Sequence, residues 1–161
     1  MSAEILKTRL AHSRMAYKHA VLALPTLAAL QSGPITQHGM TFSSDSHVES
    51  QVIELGWAFF CRYEACLEKW LKDQGVKLSK KQSLREWLEK KIRIPDELSD
   101  GIDLYRKIRN ALHHDDGASF DGSDESEIHI FPEHMERFFN LFCWIGQSVE
   151  EIRVERNDFG R

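Results

Sequence analysis

Cysteine is scarce and unpatterned in this chain. Cys61, Cys66 and Cys143 are an odd number and show no Cys-x2-Cys spacing. That excludes a disulfide framework and argues against a zinc module. All three sit in apolar helical stretches and are expected as buried free thiols. Proline and glycine are also sparse, four and nine in 161 residues, so little interrupts helix formation. There is no P-loop, no dinucleotide-binding glycine pattern and no Gly-x-Ser-x-Gly elbow, which removes the familiar phosphate cradles and serine hydrolase turns. Long hydrophobic runs are missing too. The apolar stretch 20–30 is too short to span a bilayer and contains Pro25, so no membrane partner is expected. No secretory signal is evident at the first residues, and a cytoplasmic protein is expected. Positive charge is not in excess. With a net charge of -4, the whole-molecule field does not attract nucleic acid, and any RNA contact needs a local basic patch.

What is present reads as helix. Hydrophobic residues make up 42% and charged residues 29% of the chain, enough apolar surface for one folded domain over residues 1–161. A first helix is expected over 3–24, ended by Pro25, with its Ala-Leu-Val second half buried. Residues 31–46 read as a Gly-Ser-Thr loop, with Asp45 or Ser46 capping the next helix. That helix, 47–73, carries Ile53, Trp57, Phe60, Leu67 and Leu71 at three-four spacing, with Val52, Phe59, Tyr63, Cys66 and Trp70 as a second stripe. Ser83 and Glu86 form a capping box for a short helix, 84–91. Pro95 opens a helix over 96–114, with Ser99 or Asp100 as an alternative cap and Leu104, Ile108, Ala111 and Leu112 as its core face. An acidic loop, 115–127, follows, and 127–131 reads as briefly extended. Pro132 opens the last helix, 132–154, with Met135, Phe138, Phe142, Ile145, Val149 and Ile152 at three-four spacing. The expected fold is all-α, an antiparallel four- to five-helix bundle.

The chemistry concentrates in Arg109-Asn110-Ala111-Leu112-His113-His114, at the close of the 96–114 helix. Arginine is a permanent cation that grips phosphate oxygens in pairs. Histidine takes and returns a proton near neutral pH. RNA carries its own nucleophile, the 2′-hydroxyl, so strand cleavage needs a base, an acid and a clamp for the charge that builds on the phosphoryl oxygens. Arg109 and His114 are five residues apart, about 140° around an ideal helix. They can act together only where the helix frays or where a partner's residues complete the site. His113, on the Arg109 face, competes with His114 for the proton-transfer role. The plain alternative is that Arg109 and His114 serve only the helix C-terminus or pair with acids.

The run fits Arg-x4-His, and with Asn110 it becomes Arg-Asn-x-x-x-His. A long apolar helix carrying Arg62-Tyr63-Glu64 precedes it, a linker with a short helix intervenes, and an amphipathic helix follows. In this order the chain resembles the HEPN domains, all-helical proteins with an Arg-x4-6-His signature near a helix C-terminus. The resemblance covers about residues 47–154. It implies a metal-independent endoribonuclease, often a toxin or antiviral effector, that dimerises so that two motifs face one cleft. It assigns the motif arginine to Arg109, the motif histidine to His114 and the polar residue between them to Asn110. No cofactor is implied. RNA, a homodimer partner and an antitoxin or regulatory protein are the expected partners. Some toxin members carry a tyrosine two places after the histidine, and here that position is Asp116.

Several residues around the motif invite a role. Glu64 falls on an apolar stripe, where a carboxylate needs a partner. It either holds Arg109 in place or bridges to Arg62 or Lys107. Tyr105 and Arg106, one turn before the motif, are placed to touch a phosphate or base, or else are packed and solvated respectively. Lys77, Lys80, Lys81, Arg85, Lys90, Lys91 and Arg93 form a basic run around Trp87, which either guides RNA or is a solvated face over a buried tryptophan. His113, His114, Asp115 and Asp116 lack the spaced ligand set of a metal site, so none is expected.

Overall fold

The computed structural model describes residues 2–76, 83–114 and 129–158, and of 111–114 and 154–158 the backbone only. Among these residues the fold is all-α apart from one two-stranded hairpin. No described helix is long and apolar enough to cross a membrane.

Helix α1 (Ala3–Leu22) buries Ala3, Leu6, Leu10, Ser13 and Tyr17, one residue each turn, which places a single stripe against the core. The Ala-Leu-Val second half was expected to be buried and is not: Leu22 is 80% exposed, and Ala20 and Val21 are only half-buried. The helix ends before Pro25; Leu22 and Ala23 lie off the line of the buried stripe, whereas Ala20 and Val21 continue it from Tyr17 and are partly covered. The expected loop over 31–46 is also corrected. Helix α2 (Leu27–Leu30) is capped by the Thr26 hydroxyl, and the strands β1 (Ile35–Gln37) and β2 (Met40–Phe42) pair antiparallel with Thr36 opposite Thr41. The two residues between the strands, His38 and Gly39, have φ of 53° and 78°. Two positive φ values in a two-residue connection suit the right-handed twist of a hairpin.

Helix α3 (Asp45–Asp73) buries Val48, Gly56, Phe60, Tyr63, Glu64, Cys66, Leu67, Trp70 and Leu71. Its C-terminal half is therefore enclosed along both expected stripes, while Ile53, Trp57, Val52 and Phe59 are half-buried. The N-cap is Ser44, without a side-chain cap bond, rather than Asp45 or Ser46. Helix α4 (Leu84–Glu89) carries the expected capping box between Ser83 and Glu86. Helix α5 (Asp96–His114) runs without a break through Ser99, Asp100 and Gly101. Ser99 accepts a hydrogen bond from Arg85 (3.0 Å) instead of capping a helix. Helix α6 (Pro132–Asp158) opens at Pro132 as expected.

Helices α1, α3 and α6 pack on one another, and α5 lies on α6. Their shared core holds Phe60, Phe138, Phe142, Tyr63 and Trp70. Phe60 meets Phe138 edge-on at 5.0 Å, and Tyr105 meets Phe142 edge-on at 5.1 Å. Such ring pairs add about 0.5–1.5 kcal/mol beyond their area. The face that α5 turns to this core is Ile102, Tyr105 and Ile108. Leu104, expected there, is half-buried, because the edge contact of Tyr105 with Phe142 rotates α5 toward position 105. The side chains of Ala111 and Leu112 lie outside the described residues. Of the cysteines, Cys66 is buried, Cys143 half-buried and Cys61 exposed, all of them free. Cys61 corrects the expectation of three buried thiols, since it falls on the outer face of α3.

Candidate functional site

Two pairs of residues, each one turn apart, face each other across α3 and α5. On α3 they are Glu64 and Glu68. On α5 they are Tyr105 and Arg109. Helical neighbours at this spacing share a face, so once Tyr105 is drawn into the aromatic core, Arg109 is carried to the rim above it. There Arg109 Nε stands 2.9 Å from Glu64 Oε1. Arg109 Nη2 donates to Glu68 Oε1 at 2.7 Å. One guanidinium thus meets two carboxylates from successive turns of one helix.

The three charged groups differ in depth. The Glu64 side chain is 8% exposed, Arg109 43% and Glu68 47%. Glu64 is the fixed element, a buried carboxylate whose enclosure is tolerable because a cation closes over it. Burial alone would lower the Arg109 pKa. The Glu68 hydrogen bond, with the Glu68 and Glu64 charges, more than offsets this and leaves it above the ordinary value. Tyr105 is pushed well above the usual phenol range by burial first and by the Glu64 charge second, with Arg109 pulling the other way. It remains a neutral phenol at neutral pH.

The structure brings together Glu64 and Arg109, the first of the pairings expected for Glu64. Asn110 and Arg106 are exposed on α5. Tyr105, at 5% exposure, sits between Phe60 and Phe142, the packed one of the two roles expected for it. The α5 backbone stays helical through its last residue, His114, so positions 109 and 114 lie about 140° apart around the axis. The side chains of His113 and His114 fall outside the described residues, as does the acidic loop, 115–127. Glu68 is absent from the sequence reading. Its signal was the spacing of four residues from Glu64 on the same helix face.

The basic run divides in the same way. Arg85 donates to Glu89 at 2.8 Å and to Asp103 at 2.6 Å, which ties α4 to α5. Trp87 is half-buried, with the Lys91 ammonium 5.9 Å from its ring centre. Residues 77–82 lie outside the described residues. Among the described residues no three histidine, cysteine or acidic side chains gather as a metal site would require. The four-residue stretch from His113 to Asp116 is not covered by that statement.

A second polar cluster joins α1 to α6. Glu136 accepts from Arg14 Nε at 2.9 Å and from Arg14 Nη2, and meets Lys18 Nζ at 3.0 Å. Arg14 also lies 4.6 Å over the Phe139 ring. Beside it is a cavity of about 340 Å³ lined by Tyr17, Lys18, Val21, Leu22, Pro132, Glu133 and Glu136. None of these residues belongs to the motif, so the cavity and the α5 chemistry are separate features.

Compared with family models, curated proteins and solved structures, the chain matches none.

Proposed function

We propose that this chain is a HEPN-like antiparallel helical bundle that cleaves RNA without a metal, acting in the cytoplasm as a toxin or antiviral effector. The observation that carries the reading is Arg109 itself. It stands in an Arg-x4-His run at the end of α5, its side chain is 43% exposed, and the buried Glu64 stands against its Nε. An arginine held this way is ready to meet a phosphate, since its orientation is fixed before the ligand arrives. His114 is the proposed proton-transfer residue, with His113 as its neighbour, and Asn110 supplies a further polar contact. The 2′-hydroxyl attacks the adjacent phosphorus as its proton passes to a base. The 5′-oxygen leaves with a proton from an acid, and a 2′,3′-cyclic phosphate remains. Because positions 109 and 114 do not share a helix face, one chain does not surround a phosphate by itself. The proposed active species is a twofold dimer with two motifs bordering one groove. An antitoxin or regulatory protein would cover that groove.

The test is cleavage of single-stranded RNA in EDTA, with the ends read as 2′,3′-cyclic phosphates. His114→Ala and Arg109→Lys should each abolish cutting while the protein keeps its helical signal and its oligomeric state. Arg109→Lys keeps a cation on Glu64 but loses the planar fork. Undiminished cleavage by both variants overturns the reading. A second reading is a non-catalytic HEPN-type module that binds a nucleotide or a protein. The grip of Glu68 on Arg109 favours it, because a guanidinium engaged by two acids also serves as a strut between helices. Saturable binding with no cleavage under any condition selects this alternative.

A further inference from the structure

We infer that Glu68 is a built-in competitor for the anion site at Arg109, so that the ion pair between them is an autoinhibitory contact that an incoming phosphate must displace. The inference rests on the reading of Arg109 as an anion-binding residue and adds to it the element that regulates access.

The argument begins with charge. Arg109 with Glu64 is neutral, and Glu68 makes the group net negative. A phosphodiester brought to that group meets repulsion from a carboxylate already seated on Nη2. The donors are limited as well. A guanidinium has five N–H groups in a fixed plane. Here Nε faces Glu64 and Nη2 faces Glu68, and Nη1 is bonded to the same carbon as Nη2, so an anion held at Nη1 stays near the Glu68 charge. Either the phosphate takes the Glu68 position or it binds beside a like charge.

The two carboxylates are not equivalent competitors. The Glu64 side chain is only 8% exposed, so swinging its carboxylate away from Arg109 does not bring it into water. Glu68 is 47% exposed. Its two-methylene stem can swing its carboxylate into water, where the charge is well solvated. The depth difference assigns opposite roles to two chemically identical side chains one turn apart. Glu64 positions Arg109, and Glu68 occupies its face. Removal of Glu64 should weaken phosphate binding, and removal of Glu68 should strengthen it.

The probe is a fluorescent single-stranded 2′-O-methyl oligoribonucleotide, which lacks the attacking hydroxyl and therefore reports binding alone. Its Kd is measured by anisotropy for the wild-type chain and for Glu68→Gln, Glu64→Gln, Arg109→Gln, Glu68→Gln/Arg109→Gln and Glu54→Gln. Glu54 is an exposed acid elsewhere on α3, so Glu54→Gln controls for net charge. Far-ultraviolet circular dichroism checks that each variant is folded. Expected are a weaker Kd for Arg109→Gln and Glu64→Gln, and a Kd about three- to tenfold tighter for Glu68→Gln, the scale of releasing one partly exposed ion pair. The gain should vanish in the double variant. If Arg109→Gln weakens binding but Glu68→Gln does not tighten it, or tightens it no more than Glu54→Gln does, the competitor role is overturned and the anion site stands. If Arg109→Gln binds as well as the wild type, the anion site falls and the competitor role falls with it.

Discussion

The Nε of Arg109 on α5 stands 2.9 Å from the Oε1 of Glu64 on α3, a carboxylate that is only 8% exposed. These residues are far apart in sequence, and the contact joins a helix that lies mainly on α6 to α3, whose C-terminal half is enclosed. Its energetic weight follows from that asymmetry, since a buried acid depends on the cation above it more than the half-exposed cation depends on the acid.

That dependence is measurable by a double-mutant cycle in urea. Arg109→Gln should destabilise by about 1–3 kcal/mol, because it uncovers a buried carboxylate. Glu64→Gln should cost less, since Arg109 keeps Glu68 and its contact with water. The double variant should lose less than the two single losses summed, with a coupling of about 1 kcal/mol or more. Strict additivity would mean that the pair carries no mutual stabilisation.

Gly56→Ala should be strongly destabilising although it lies inside a helix. In an exposed helix interior this change stabilises by about 1 kcal/mol. Here an added Cβ would stand 2.0 Å from the backbone oxygen of Ile130, and a backbone atom does not move aside as a side chain does. A loss of about 3 kcal/mol or more is expected, at the high end of overpacking costs. Thermal unfolding monitored at 222 nm decides the sign, and an unchanged or higher Tm would refute the close approach of α3 to the segment before α6.

Tyr63→Phe should be neutral or mildly stabilising. Among the described residues the hydroxyls of Tyr17 and Tyr63 are buried without a hydrogen-bond partner. Burial pushes both phenols up, Tyr17 to about 12 with help from the Glu133 charge, so neither ionises at neutral pH. A buried donor with no acceptor costs about 1–3 kcal/mol, and deleting the oxygen removes that cost at the expense of a small void. A drop of more than about 1 kcal/mol in urea would show that the Tyr63 oxygen is satisfied after all.

Glu136 gives the fold an acid-sensitive contact between α1 and α6. The Arg14 hydrogen bond, the largest cause, with Lys18 holds its pKa below the ordinary 4.5, against a smaller upward push from burial. A carboxyl with a depressed pKa in the folded state binds fewer protons there than when unfolded, so stability falls as pH falls. The contribution is complete above about 4.5 and disappears as pH drops through the lowered value. Glu136→Gln should therefore lose stability near pH 7, by about 1 kcal/mol or less given its partial exposure. The gap between wild type and variant should close in acid. A gap of the same size at neutral and at acid pH would indicate a packing effect instead of a charge effect.

Local patterns in the chain carried the helices well. The capping box at Ser83 and Glu86, the proline that opens α6 and the three-four spacing of Met135, Phe138, Phe142, Ile145 and Val149 are short-range signals, and the structure reproduces them. The hairpin was also marked, by a His-Gly pair between Ile-Thr-Gln and Met-Thr-Phe, but runs of three residues are too short for alternation to stand out from a loop. The apolar end of α1 misled for a different reason. Hydrophobicity there is real, yet burial depends on which face the neighbouring helices cover.

The amino-acid sequence by itself determined where the long helices lie to within a few residues, which residues form their main apolar stripes, and that a guanidinium, an amide and two imidazoles close one helix. These follow from dihedral preferences, capping bonds and periodicity, all of which act within a few residues. Only the tertiary structure decided that Tyr105 turns inward, that Arg109 lies across both Glu64 and Glu68, and that Arg14 reaches Glu136. Such contacts depend on the angle and rotation of one helix on another, set by how large side chains such as Phe60, Tyr105 and Phe142 fit together, and no spacing along the chain encodes that fit.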